Sequence, residues 1–242
     1  MNGKVCLISG SSRGLGHALA VEFGRRGAKV VINARAVSEA ELGETESELR
    51  EMGVQVLSVI ADVSNRADVE RLTGTALSRF GRVDVLVNNA SALGPTPMPY
   101  LIDTPIDDFD FVMRTNVLGP FMLTRALVGQ MIARKSGSII NVTSDAGVVG
   151  YPTWGAYGVS KSALDQLTRT WAAEMEGTGV RVNCVDPGDM NTAMKRASEP
   201  EGDDSGWAQP ETVTPVFVYL ASDESAGVNG QRFLAQEFGG GK

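Results

Sequence analysis

Six short apolar runs, at 4–8, 29–33, 54–61, 83–88, 138–143 and 180–185, are separated by helical patterns. The first helical pattern ends at Arg26, and amphipathic stretches follow near 38–52, 66–80, 107–134 and 157–176. Several of the runs are apolar on both faces, so their strands must be covered above and below. That alternation predicts an α/β fold: a doubly wound parallel sheet with helices on both faces. In such a sheet, ligands bind beyond the carboxyl ends of the strands. At 242 residues the chain is long enough for one large core, and no repeat, linker or composition break divides it, so residues 1–242 read as a single domain.

The first run leads directly into Ser9-Gly10-Ser11-Ser12-Arg13-Gly14-Leu15-Gly16 and then a helix. Glycines at these places permit positive φ and let the backbone approach a ligand, while the free N–H groups and dipole of a new helix favour an anion such as a pyrophosphate. The spacing is Gly-x-x-x-Gly-x-Gly, and no Gly-Lys-Ser/Thr follows, which disfavours a P-loop nucleotidase. Taken alone, the turn also fits a tight turn with no ligand, though its place after an N-terminal strand favours the cradle.

Composition removes other classes. A net charge of −7 argues against nucleic acid or an anionic membrane as the main partner. One His and two Cys make a metal site unexpected; His17 reads as an ordinary helix residue beside the turn, and Cys6 and Cys184 as buried thiols. No membrane span is visible, and only Met1, Asn2 and Gly3 precede the first run, so the expected location is cytoplasmic. Gly239 to Lys242 read as a flexible end.

Tyr157 and Lys161, four residues apart in a helical pattern, share one helix face. A cation beside a phenol favours phenolate and moves the group toward the range useful for acid–base chemistry. By itself the pair also fits a solvated helix face. Ser144 stands at the end of the fifth run, thirteen residues before Tyr157; Asn88-Asn89-Ala90 ends the fourth; and Asn116 precedes Gly119-Pro120, where a kink is expected.

Taken together, these motifs resemble the short-chain dehydrogenase/reductase family over essentially the full length of the chain, in the family's order and spacing. Its members have a Rossmann-type fold. The resemblance implies a hydride exchange between a nicotinamide and a carbonyl or alcohol carbon, with Tyr157 as proton donor or acceptor and Ser144 bonded to the substrate oxygen. It implies that Lys161 lowers the Tyr157 pKa and binds the nicotinamide ribose, and that Asn116 holds a water linking Lys161 to solvent. Gly10, Ser12, Arg13, Gly14, Leu15 and Gly16 would form the pyrophosphate cradle. Asp62, Val63 and the main chain of Asn88 and Ala90 would bracket the adenosine; Pro187, Gly188 and Thr192 would bracket the nicotinamide. The cofactor half is then about 1–140 and the catalytic and substrate half about 141–238. By the same resemblance the protein is a homodimer or homotetramer through the helices at 107–134 and 157–176.

Cofactor choice follows from charge. The second run ends Asn33-Ala34-Arg35, and where NAD-preferring relatives place an acid, this chain has Ala34. Arg35, with Arg13 inside the turn, suits the 2′-phosphate of NADP, since a guanidinium pairs with phosphate in a fork.

Several positions depart from the family pattern. Ser9 replaces the usual Thr, Ser91 stands where Gly is typical, and the tail 231–238 lacks the usual Asp-Gly-Gly run. Residues 187–210, with an acidic cluster, read either as a flap over a site or as an acidic surface loop. Leu93, Tyr151, Pro152 and Trp154, joined by Met190 or Met194, would form an apolar mouth or simply pack the loop. Asp145 and Asp189 favour a neutral or basic substrate. A small ketone or alcohol ranks first. A 3-oxoacyl group on an acyl carrier protein ranks second, because Glu174, Glu176 and the net charge oppose an acidic partner and only Arg134 and Lys135 offer a basic patch. A non-catalytic NADP-binding regulator on the same fold ranks third.

Overall fold

The computed structural model describes residues 1–239; Gly240 to Lys242, most of the glycine-rich end, lie outside the described residues. Seven strands form one sheet in the order β3-β2-β1-β4-β5-β6-β7: β1 (Val5–Ile8), β2 (Lys29–Ala34), β3 (Val56–Ile60), β4 (Val85–Asn88), β5 (Gly137–Val142), β6 (Val180–Asp186) and β7 (Arg232–Leu234). Every neighbouring pair is parallel. Strands from both halves of the chain share this sheet.

The double coverage comes directly from alternation along each strand. Cys6, Ile8, Val30, Ile32, Val85 and Val87 face one core, where α1 (Gly14–Arg25), α2 (Glu39–Glu51) and α8 (Thr214–Ala221) pack. Val5, Leu7, Val31, Leu86 and Ile139 face the other, under α3 (Arg66–Phe80), α5 (Gly119–Ala133) and α6 (Gly155–Glu174). Phe23, Leu42, Leu72, Leu127 and Phe217 are fully buried. Each contributes about 1.5–3 kcal/mol by leaving water.

The stretch expected as one helix near 107–134 is three pieces: α4 (Ile106–Met113), a π-helical turn (Arg114–Leu118) and α5. The irregularity lies one turn before the expected kink. Pro120 sits directly after the π-helical turn that carries Asn116, in a helical path that continues without a break from α4 into α5. Residues 187–210 are folded, with α7 (Ala193–Ser198), a short 3₁₀ turn at Asp204–Gly206 and a parallel bridge from Met190 to Ala208. Both cysteines are buried free thiols, and burial pushes Cys184 up to about 12. Among the described residues no helix is long and apolar enough to cross a membrane.

Candidate active site

The carboxyl ends of β1 and β4 open a cleft of about 580 Å³. Gly10 turns the chain with φ +66°, and a Cβ there would stand 2.8 Å from the Ala90 Cα, so only glycine lets the turn lie against the end of β4. At Gly16 a Cβ would meet the Gly10 carbonyl oxygen at 2.2 Å. Ser9 keeps the two strand ends together: its Oγ accepts from the amides of Asn89 and Ala90, each at 3.1 Å. The start of α1 has no capping side chain and no acid in its first turn. Its amides and positive end are therefore available to an anion.

Gly10, Ser12, Arg13, Gly14, Leu15, Arg35, Val63, Ala90, Tyr157, Lys161, Pro187 and Thr192 all line this cleft. Gly16, Asp62 and Asn88 stand behind the wall. The Asp62 carboxylate accepts from the amide and hydroxyl of Ser64 at 2.8 and 2.7 Å, between the lining residues Ala61 and Val63. The Asn88 amide donates to Asn141 Oδ1 at 2.7 Å. No carboxylate lines the cleft among the described residues; its charged side chains are Arg13, Arg35 and Lys161. The exposed Arg13 and Arg35 have no ion-pair partner among the described residues, and the Arg35 guanidinium rests 5.5 Å from the Phe111 ring centroid. Three cations around backbone amides fit a phosphorylated dinucleotide.

A second cavity of about 490 Å³ adjoins the first. Tyr157 lines both, Ser144 lines the second and Lys161 the first. The helical spacing on α6 turns both side chains inward, and both are buried. Lys161 Nζ donates to the Val142 carbonyl at 2.8 Å and lies 5.3 Å from the Tyr157 ring centroid. Burial lowers the Lys161 pKa to about 8, with Asp165 and Asp186 pulling it back up. Burial also pushes the Tyr157 pKa upward, against smaller opposing effects of the nearby Ser144 and Ser91 hydroxyls. Lys161 is not among the groups that lower Tyr157, contrary to expectation: the ammonium lies over the ring, turned toward Val142, and loss of hydration dominates. The phenol stays protonated at neutral pH.

The buried Lys161 has a consequence for stability. Its folded pKa lies below its unfolded value, so between pH 8 and about 10.5 this side chain is less protonated in the folded protein, and its own contribution to stability rises with pH by up to about 1.4 kcal/mol per pH unit. The buried thiols Cys6 and Cys184, whose pKa values burial raises, act with the opposite sign. The urea midpoint of the parent minus that of Lys161→Met should therefore rise between pH 8 and 9.5; parallel curves would contradict the depressed pKa.

Ser144 follows β5; its Oγ donates to Asp145 Oδ1 at 2.9 Å and accepts from the Ala146 amide at 3.2 Å. Asn116 sits in the π-helical turn with its side chain fully engaged. It donates to the Ala92 carbonyl and Ser160 Oγ, each at 2.9 Å, and accepts from the Ala92 amide at 2.7 Å and Ser91 Oγ at 3.2 Å. A water on Asn116 would thus have to use its main chain. Ser91, the departure from glycine, braces this residue.

The second cavity has Leu93, Pro152, Trp154, Met190 and Met194 on its walls, and Gly188 lines it as well. Trp154 packs edge-on against Tyr157, with centroids 5.6 Å apart. Asp145 also accepts from the Tyr151 hydroxyl at 2.9 Å; burial alone would raise its pKa, but these hydrogen bonds prevail and hold it low. Lys195, not singled out from sequence because it sits in a polar stretch, lines the cavity and bridges Asp189 and Glu199, each at 2.8 Å. Burial opposes its charge, yet the two carboxylates keep its pKa raised. The ammonium also lies 5.7 and 5.5 Å from the Trp154 and Trp207 rings. The strap formed by residues 187–210, which lines the cavity, is thereby tied down by one cation.

A sheet of this topology, with a phosphate-fitting cleft at its carboxyl edge and a buried Tyr–Lys pair between that cleft and a second cavity, defines the oxidoreductases built on a dinucleotide-binding fold. This chain belongs to the short-chain dehydrogenases, whose family model matches residues 4–203; they act on CH–OH groups. It is 34% identical over 239 residues to the 3-oxoacyl-[acyl-carrier-protein] reductase of Thermotoga maritima, covering 96% of this chain and 95% of that protein. A short chain dehydrogenase from Escherichia coli CFT073 complexed with NADPH superimposes with a TM-score of 0.90 at 30% identity, covering 98% of both chains. NAD⁺-bound xylitol dehydrogenase matches with a TM-score of 0.87 at 28% identity, over 96% of this chain and 97% of that one.

Proposed function

We propose that this protein is an NADP(H)-dependent reductase of small ketones, running in reverse on the secondary alcohols, with Tyr157 as the general acid and base. The observation that carries this reading is the place of Tyr157 on the wall shared by the two cavities, with Ser144 on one side and Lys161 on the other. Bound NADPH would supply the hydride. Tyr157, protonated because it is buried, donates its proton to the oxygen that gains charge, and Ser144 Oγ hydrogen-bonds that same oxygen. Lys161 would hold the ribose hydroxyls and pass a proton back to Tyr157; Asn116 braces the turn beside them through Ser91, Ala92 and Ser160.

Arg13 and Arg35, without acidic partners in a cleft lacking carboxylates, support NADP over NAD. The apolar walls of the second cavity and the acids Asp145, Asp189 and Glu199 at its rim support a compact, uncharged ketone. A second reading, reduction of a 3-oxoacyl group on a carrier protein, is favoured by the Thermotoga maritima relative. Against it, Arg134 is drawn into the fold by Asp84 at 3.4 Å and the Val83 carbonyl at 3.0 Å, which leaves Lys135 alone of the basic patch. Exposed Leu118 and Val159, on the π-helical turn and α6, support self-association through those helices.

The test is loss of NADPH absorbance with a panel of ketones, diketones, keto-sugars and 3-oxoacyl thioesters. Turnover of the uncharged ketones ahead of the thioesters is expected. Thioesters alone would favour the second reading, and silence across the panel with intact NADPH binding would favour a non-catalytic cofactor-binding role.

A further inference from the structure

Behind Ser144 lies a cluster of charges that the reaction as described does not use. Asp165, one turn beyond Lys161 on α6, and Asp186, at the end of β6, are 3% and 4% exposed. Two carboxylates so deeply buried require a compensating cation. Among the described residues, Arg232 of β7 is the cation within ion-pair distance of either. Its Nη2 donates to Asp186 Oδ2 at 2.9 Å, and its Nε lies 3.4 Å from Asp165 Oδ2. Asp165 Oδ1 and Arg232 Nε have no hydrogen-bond partner, so the Asp165 contact is an attraction between charges only. The second oxygen of Asp186 accepts from the Gly188 amide at 2.9 Å.

The same Nη2 also donates to the main-chain carbonyl of Ser144 at 3.1 Å. One guanidinium thus touches the residue that would hold the substrate oxygen and both carboxylates that act on Lys161. The carboxylates acting on Lys161 are Asp165 on α6 and Asp186 on β6; Asp186 also acts on Tyr157, as does Asp145 beyond β5, and Arg232 on β7 pairs with both Asp165 and Asp186. We infer that Arg232 is a positioning residue of the reaction centre, which fixes the main chain at Ser144 and balances the two carboxylates so that β7 sets the charge felt by Lys161 and Tyr157. The inference rests on the assignment of Tyr157 and Lys161 as the proton-transfer pair.

The mechanism is electrostatic and has a sign. Asp165 and Asp186 both raise the Lys161 pKa, and Arg232 works against the burial that raises the Asp186 pKa. Removing Arg232 leaves them unbalanced and holds the proton on Lys161 to higher pH; removing Asp165 does the reverse.

The experiment follows Lys161 by NMR titration of its ε-carbon in the cofactor-free protein, assigned by its absence in Lys161→Ala, for the parent, Arg232→Met, Arg232→Lys and Asp165→Asn. The midpoint is expected to rise by about half to one pH unit in Arg232→Met, to fall by a similar amount in Asp165→Asn, and to stay near the parent value in Arg232→Lys. The pH profile of ketone turnover is expected to move in the same directions. Midpoints that do not move, or that move the same way in Arg232→Met and Asp165→Asn, overturn the inference, since a merely structural role lowers activity without opposite shifts. If Arg232→Met does not fold, the downward shift in Asp165→Asn and the unshifted Arg232→Lys decide it. Opposite shifts in a parent that reduces no ketone would uphold the charge balance and reject the assigned reaction.

Discussion

Tyr157→Phe is expected to lower ketone turnover by about 10²–10⁴-fold while leaving NADPH binding within a few-fold. The substitution deletes one oxygen and keeps the ring, which packs edge-on against Trp154 and lies beneath the Lys161 ammonium, so cavity shape and fold are retained. What goes is the proton. Lys161 cannot replace it, because its Nζ is turned to the Val142 carbonyl and its place is in the cofactor cleft, not in the second cavity. Steady-state rates with NADPH, beside a fluorescence titration of cofactor binding, check both halves of this expectation. Turnover retained in Tyr157→Phe would move the acid to another group and sink the assignment.

Arg35→Asp carries the second large effect, a change in cofactor preference. In the parent, a 2′-phosphate would meet Arg35 and Arg13 with no carboxylate nearby, and a charge-assisted hydrogen bond of this kind is worth about 1.5–3 kcal/mol. The variant removes that contribution and adds a like charge facing the phosphate. The ratio of kcat/KM for NADPH over NADH should fall by about 10²-fold or more. An aspartate here can also accept hydrogen bonds from the ribose hydroxyls of NADH, so part of the change should appear as improved NADH use. An unchanged ratio would show that Arg35, resting on Phe111, does not face the adenosine end at all.

Much of this was legible in the chain. The runs at 29–33, 83–88 and 138–143 became β2, β4 and β5 within a few residues of their expected bounds, because strands buried on both faces leave a continuous apolar signal. The helix at 66–80 matches α3 at both ends, where Asn65 accepts from the amides of Ala67 and Asp68 and Gly81 adopts φ +77°. Tyr157 and Lys161 share a helix face by spacing alone. The tail, by contrast, gave no strand signal: β7 is three residues long, carries Arg232, and exists because it pairs with β6. The α8 stretch, Thr214–Ala221, also lacked a readable period, being apolar nearly all round and buried against α1 and the sheet.

The sequence by itself determined the sheet, the glycine turn that admits an anion, and the residues at the strand ends where a ligand must bind. These are local matters, fixed by side-chain period, backbone freedom and spacing. Only the tertiary structure decided which way Tyr157 is shifted, that the Asn116 side chain is already satisfied, that Lys195 ties down the strap, and that Arg232 stands between Asp165, Asp186 and Ser144. Each of those depends on burial and on charges brought together from distant parts of the chain, and neither burial nor long-range charge can be read from the order of residues along one strand or helix.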